Sequence, residues 1–364
     1  MAIPHDVQAA GAGVERPRVE GVPGFSVPGL SRLAELSASK ALDGAKGWAG
    51  RRLRGAVASG VYLGSTDAVL DLYFRILDPD LRFKANIVDK KRAQLVEKLG
   101  GEVFDLESAE EGLQINGMWF GVPQYNDANG TSIEDQKSAV IVTSGTYTPY
   151  EMLDEEIHRY LRLGINVITY NPPGYVGSKG ERSARNHLSS HEKVYELLGE
   201  KGFHHSRIGC SPFSLSNGVV ALFAEKHPVQ FILFDRSYSS LRKIVDRYAS
   251  RISRIGSIIE ESYDYDIGKA LQNVKCENVY FIAAENDALM PLADHAERNF
   301  DSFVHKVHPE FFNYDGEVVD QEKYEEFRRN HFWTFSGTHG SDMPKEMWNE
   351  QVIGALRESH LLSD

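Results

Sequence analysis

From Ser138 to Ser359 the chain repeats one pattern: a short apolar run, then a longer stretch with helical spacing. The runs are SAVIVTSG, INVITYN, SRIGCSP, QFILFD, NVYFIAAEN and HFWTFSG. Each is shorter than an ordinary helix and too continuously apolar to face water on one side, which describes a strand covered on both faces. Between them lie EMLDEEIHRYLRLG, HEKVYELLGEKG and the segment after Ser214, and KEMWNEQVIGALRES closes the series. Parallel neighbours need a long crossover, so strands spaced by helices close into a parallel sheet with helices above and below. Ahead of the series, EVFDLES and LQINGMWFGVP read as an antiparallel pair. The expected fold class is α/β, with a mostly parallel central sheet, helices on both faces and a helical N-terminal extension.

The length of 364 residues suits one such domain plus that extension. Residues 1–28 are rich in Gly, Pro, Ala and Val without a period, the composition of a disordered leader. Residues 29–100 turn helical, with DAVLDLYFRIL and KKRAQLVEKL as amphipathic segments, and 101–364 form the main domain. A net charge of −12 argues against nucleic-acid binding, which needs clustered Lys and Arg. The two cysteines, Cys210 and Cys276, build neither a disulfide framework nor a metal-ligand cluster, which points to a reducing compartment. No apolar run approaches the length of a membrane span, and the N-terminus lacks a signal-peptide layout. The expectation is a cytoplasmic or peripheral membrane protein, with secretion by a non-classical route left open.

Residues 1–56 nonetheless carry eight Lys/Arg against five Asp/Glu. Lys46, Arg51, Arg52 and Arg54 gather beside Trp48, so residues 30–56 are a candidate for contact with an anionic membrane. The alternative is packing on the main domain with the charges solvated, which Gly44, Gly47, Gly50 and Gly55 favour by weakening a free-standing helix.

Chemistry concentrates in RIGCSPFSLSNGVVALFAEKHP, Arg207 to Pro228, which reads as a strand, a sharp turn at Ser214 and a helix. Such a turn lifts the serine Oγ clear of the sheet and aims the next backbone N–H groups at a developing oxyanion. Asp287 and His339 follow two later strands, and the carboxyl ends of parallel strands line one crevice. Ser214 is thereby the candidate nucleophile, His339 its base and Asp287 the residue that fixes the imidazole. The strand SAVIVT runs into Ser144-Gly145-Thr146, which makes the N–H groups of Thr146 and Leu215 the candidate oxyanion hole. Each residue has a plainer reading: Ser214 or Ser216 as a helix cap, Asp287 as a turn former, His339 as a half-buried surface histidine. There is no HExxH metal spacing and no phosphate loop, and the chemistry calls for no cofactor.

These pieces, in this order, resemble the α/β-hydrolase superfamily. SGTYTPYE resembles its oxyanion turn and NPPGYVGSKG the turn ending the fourth strand. CSPFSLSNG resembles the nucleophile elbow, ENDALMP the acid turn and SGTHG the histidine turn. Within it, NPPGYVGSKG, SPFSLSNG and FDRSYSSL are most similar to the phosphatidylserine-lipase branch, which acts on lysophospholipids and monoacylglycerols. The resemblance implies a serine esterase or lipase with a Ser-His-Asp triad and an acyl-enzyme intermediate. It also implies that residues 238–273 form a helical cap, whose Leu241, Ile244, Val245, Tyr248, Ile252 and Ile255 either line an acyl pocket or pack as core. Residues 301–330 are expected as a second insertion.

The elbow departs from Gly-x-Ser-x-Gly, because Pro212 and Ser216 replace both glycines. Ser216 is an alternative nucleophile in the register that keeps Gly218, and Asp235 is an alternative acid. Two other functions stay open: a catalytically impaired scaffold that binds protein or membrane, and a peptidase or amidase using the same triad.

Overall fold

The computed structural model describes residues 85–108, 112–145, 148–240, 265–287, 290–292 and 295–363. At its centre is an eight-stranded sheet ordered β1-β2-β4-β3-β5-β6-β7-β8. The strands are β1 Glu102–Ser108, β2 Leu113–Phe120, β3 Ala139–Thr143, β4 Asn166–Tyr170, β5 Ile208–Pro212, β6 Phe231–Asp235, β7 Val279–Ala284 and β8 Phe332–Phe335. β2 pairs antiparallel with β1 and β4, and the remaining pairings are parallel. All six apolar runs are strands, and β3, β4 and β7 are buried along their whole length.

Alternate residues of a strand face opposite ways, so each central strand feeds two cores. On β3, Ala139 and Ile141 join the helices α4 Ala184–Glu200, α5 Ser216–Lys226, α6 Ile267–Leu271, α7 Ala296–Val307 and α8 Gln321–His331. Val140 and Val142 join the other layer, made by α1 Ala85–Leu99, α2 Val122–Asn129, α3 Asp154–Leu161 and the C-terminal segment. That segment runs through α9 Lys345–Met347, a π-helical turn Trp348–Val352 and α10 Ile353–Glu358.

Connectivity places the crevice. From β3 the chain moves outward through α3 to β4, then returns across the opposite face through α4 to β5, which pairs with β3. The loops leaving β3 and β5 therefore diverge at their carboxyl ends, where parallel sheets hold their ligands.

One expectation changes. The helix expected from His191 begins at Ala184, where the Ser183 side chain accepts from the Asn186 N–H at 3.1 Å. Its first turns bury His187, Ser190 and His191 rather than aliphatic residues, so they carry no apolar period. The span 238–273 begins and ends as core: Tyr238 and Tyr265 are fully buried and α6 packs under α5. The middle of that expected cap, 241–264, lies outside the described residues, as do the leader and all of the N-terminal region before α1. Residues 301–330 lie in the β7–β8 crossover, before the last strand, with Phe311 buried and Tyr314 fully exposed. Among the described residues no helix is long and apolar enough to cross a membrane.

Candidate active site

β5 ends at Pro212, opposite Thr143 of β3, and two residues later Ser214 takes φ +54°. That left-handed conformation costs a non-glycine residue about 1–2 kcal/mol, so its surroundings must hold it. The Phe213 N–H donates to the Thr143 carbonyl at 3.0 Å and the Ser214 N–H to the Asp235 carbonyl at 3.1 Å. Asn217 Nδ2 spans both turns, donating to the Ser214 carbonyl at 2.6 Å and the Asp235 carbonyl at 2.9 Å. The elbow is thus clamped by the ends of its two neighbouring strands.

One of the two absent glycines has an explanation. Ser216 is buried and its hydroxyl donates to the Ser144 carbonyl, so the side chain in a glycine's place ties the elbow to the turn after β3. Close packing moves instead to Gly218, where a Cβ would stand 2.3 Å from Tyr238 Oη and 2.7 Å from Tyr265 Cβ. Gly145 is needed for proximity rather than for a left-handed turn: a Cβ there would lie 3.0 Å from Ser214 Cβ and from the Phe213 ring.

The turns after β7 and β8 are stitched together by the Glu285 N–H on the Phe335 carbonyl at 3.0 Å and the Asn286 N–H on the Gly337 carbonyl at 2.9 Å. Next in line, Asp287 Oδ1 accepts the Met290 N–H at 2.9 Å and Oδ2 accepts from His339 Nδ1 at 2.7 Å. A carboxylate on Nδ1 keeps the proton there, which leaves Nε2 as an acceptor. His339 Nε2 lies 3.0 Å from Ser214 Oγ. The Asp287 side chain is only 2% exposed and that of His339 22%, so the pair is sealed at the acid and open at the imidazole.

The other named residues sit elsewhere. Asp235 turns its carboxylate onto Arg236, Oδ1 to Nε at 2.7 Å and Oδ2 to Nη2 at 2.9 Å. Leu215 precedes α5, and no acceptor takes its N–H among the described residues. Thr146 lies outside those residues. Among the described residues no cluster of His, Cys, Asp or Glu is arranged to hold a metal ion.

Reading the sequence missed Arg236 and Asn217, because neither follows from a periodic pattern. It also missed the support of the turn after β3. There the Tyr150 N–H donates to Asn171 Oδ1 at 3.0 Å, and the fully buried Glu151 accepts from Arg92 Nε of α1 at 3.1 Å and from Asn171 Nδ2 at 3.2 Å. Below the elbow, on the inner face of α4, the imidazole of His191 lies 3.1 Å from Tyr170 Oη and 3.8 Å from the Cys210 thiol. Burial pushes His187 and His191 down to about 3 and the Cys210 thiol well up.

By sequence, no protein-family model and no curated protein matches this chain. By structure it has the α/β-hydrolase fold. An esterase of Pyrococcus furiosus is similar with a TM-score of 0.52 and 16% identity, over 72% of this chain and 93% of that one. An alpha-beta hydrolase of Vibrio vulnificus gives 0.52 at 15% identity, over 76% and 89% of the two chains. An acylaminoacyl peptidase of Pyrococcus horikoshii gives 0.50 at 15% identity, over 72% of this chain but only 42% of that longer one.

Proposed function

We propose that this protein is a serine hydrolase that cleaves acyl esters through an acyl-enzyme. The observation that carries the proposal is the continuous line from Ser214 Oγ, 3.0 Å from His339 Nε2, through the imidazole to Asp287 Oδ2 at 2.7 Å. In the proposed reaction His339 takes the hydroxyl proton as Ser214 Oγ attacks the acyl carbon. Asp287 keeps the imidazole in the required tautomer and stabilises the imidazolium. His339 then passes the proton to the leaving alcohol, and a water deprotonated by the same nitrogen releases the acid. Leu215 N–H, at the start of α5, is one oxyanion donor and Thr146 N–H the second; such a donor contributes on the order of 3 kcal/mol. In this reading Ser216 and Asp235 are structural, since one hydroxyl is committed to Ser144 and one carboxylate to Arg236.

The substrate we propose is lipid-like, of the lysophospholipid or monoacylglycerol type, on the resemblance of FDRSYSSL and NPPGYVGSKG. Amide cleavage is the second reading, favoured by the likeness to an acylaminoacyl peptidase. A fluorophosphonate probe tests the core of the proposal: it should label the wild type and leave Ser214→Ala unlabelled. Absence of wild-type labelling would return the chain to the class of binding scaffolds. Comparing ester with amide turnover then decides the bond. For residues 30–56 we propose contact with anionic membrane, and deletion of residues 1–56 should weaken binding to phosphatidylserine vesicles. Unchanged binding rejects that contact.

A further inference from the structure

The turn that ends β6 holds an arginine in an unusual place. Arg236 is buried, takes φ +50°, and points its guanidinium toward the histidine turn rather than to solvent. Its Nη1 donates to the His339 carbonyl at 2.8 Å and to the Ser341 carbonyl at 2.6 Å, while Nε and Nη2 grip the Asp235 carboxylate. The guanidinium carbon lies over two rings, 4.5 Å from the Phe213 centroid and 5.4 Å from that of Phe335. Phe213 in turn lies 5.4 Å from the His339 ring. The backbone carbonyl of the same Asp235 accepts the Ser214 N–H at 3.1 Å. One dipeptide therefore holds the serine through its backbone and the histidine backbone through its guanidinium.

From this geometry we infer that Arg236 is a positioning residue that sets the distance between Ser214 Oγ and His339 Nε2. The inference rests on the proposed roles of Ser214 and His339. Turns are the most mobile parts of such a fold, and a base displaced by about 1 Å loses on the order of 10²-fold in rate. A guanidinium fits this task because its planar fork serves a carboxylate on one edge and carbonyls on the other, whereas an ammonium is a single point. The left-handed backbone at Arg236 is consistent with this, since a non-glycine residue stays there only when its surroundings over-determine it.

Arg236→Gly is the informative variant, because glycine adopts φ +50° without strain and leaves a space shaped for a guanidinium. With a short-chain p-nitrophenyl ester, kcat should fall about 10²-fold while KM stays within about twofold. Methylguanidine should restore part of the lost kcat, and the far-downfield proton resonance of His339 Nδ1–H should broaden or disappear in the variant and return with it. A folded Arg236→Gly with wild-type kcat and an intact resonance overturns the inference, as does loss of KM and kcat together without rescue. If Arg236→Gly does not fold, Arg236→Lys decides: at least a tenfold fall in kcat supports the role, and wild-type kcat overturns it. Failure of the wild type to react with fluorophosphonate defeats the hydrolase reading itself. Wild-type labelling with unchanged turnover in the Arg236 variants defeats only the role of Arg236.

Discussion

β5 and β6 lie side by side and end in turns of the same backbone kind. In each a non-glycine residue sits in the left-handed region, Ser214 at φ +54° and Arg236 at φ +50°. The β5 turn uses the conformation to lift a small hydroxyl toward His339. The β6 turn uses it to drive a long cation inward, where two carbonyls and a carboxylate surround it. The difference teaches that backbone strain alone does not mark a nucleophile; what the side chain meets decides its role. Both turns are held by shared partners, so neither is independent of the other.

The largest expected effect separates the two turns cleanly. Ser214→Ala should lower ester turnover by at least about 10³-fold. It should leave the urea midpoint unchanged, because in the proposed mechanism the hydroxyl serves chemistry rather than packing. A midpoint shift as large as that of a core truncation would show the serine to be structural and break the contrast.

Next comes acid. His187 and His191, beneath the elbow on α4, have folded-state values pushed down to about 3 by burial. A depressed value means that the unfolded chain binds protons first. The contribution is thus fully present above about pH 6.5 and is lost as pH falls toward 3, by about 1.4 kcal/mol per unit for each histidine. Urea midpoints at pH 7 and pH 5 measure it. Equal midpoints would mean that water reaches these imidazoles and that the layer under the β5 turn is not dry.

Asn217 joins the two turns by donating to the last carbonyls of both. Asn217→Ala leaves these carbonyls without that donor and should cost about 2–3 kcal/mol, read by thermal or urea unfolding. A shift confined to activity would instead mean that the turns hold without their bridge. The smallest effect is expected from Tyr238→Phe, which removes the donor to the Leu215 carbonyl at 3.0 Å and should cost about 1–2 kcal/mol. A fall in turnover far beyond that in stability would give the β6 turn a share in orienting Leu215, the oxyanion donor of the proposed mechanism.

How much of this was legible depended on whether the signal was periodic. The six apolar strands were readable because burial on both faces forces a continuous apolar run, and β3 with its fully buried AVIVT is the plainest case. α4 was readable only from His191 onward, since its first turns bury histidines and serines that carry no apolar period. Asp287 and His339 were legible as residues of the right type after the right strands. Arg236 was not, because nothing local distinguishes an arginine that pins a distant turn from one that faces water.

By itself the sequence determined the α/β layering, the order of the strands' turns, and the candidates Ser214, Asp287 and His339. Local composition and spacing suffice for those, because each depends on residues near one another in the chain. Only the tertiary structure decided which of Ser214 and Ser216 faces the imidazole: Ser216 is turned to the Ser144 carbonyl. Only it showed Asp235 occupied by Arg236 while Asp287 reaches His339. These are choices between chemically equal groups, set by distances across 52 to 125 residues of chain. Such distances exist only once the sheet has brought its strand ends together.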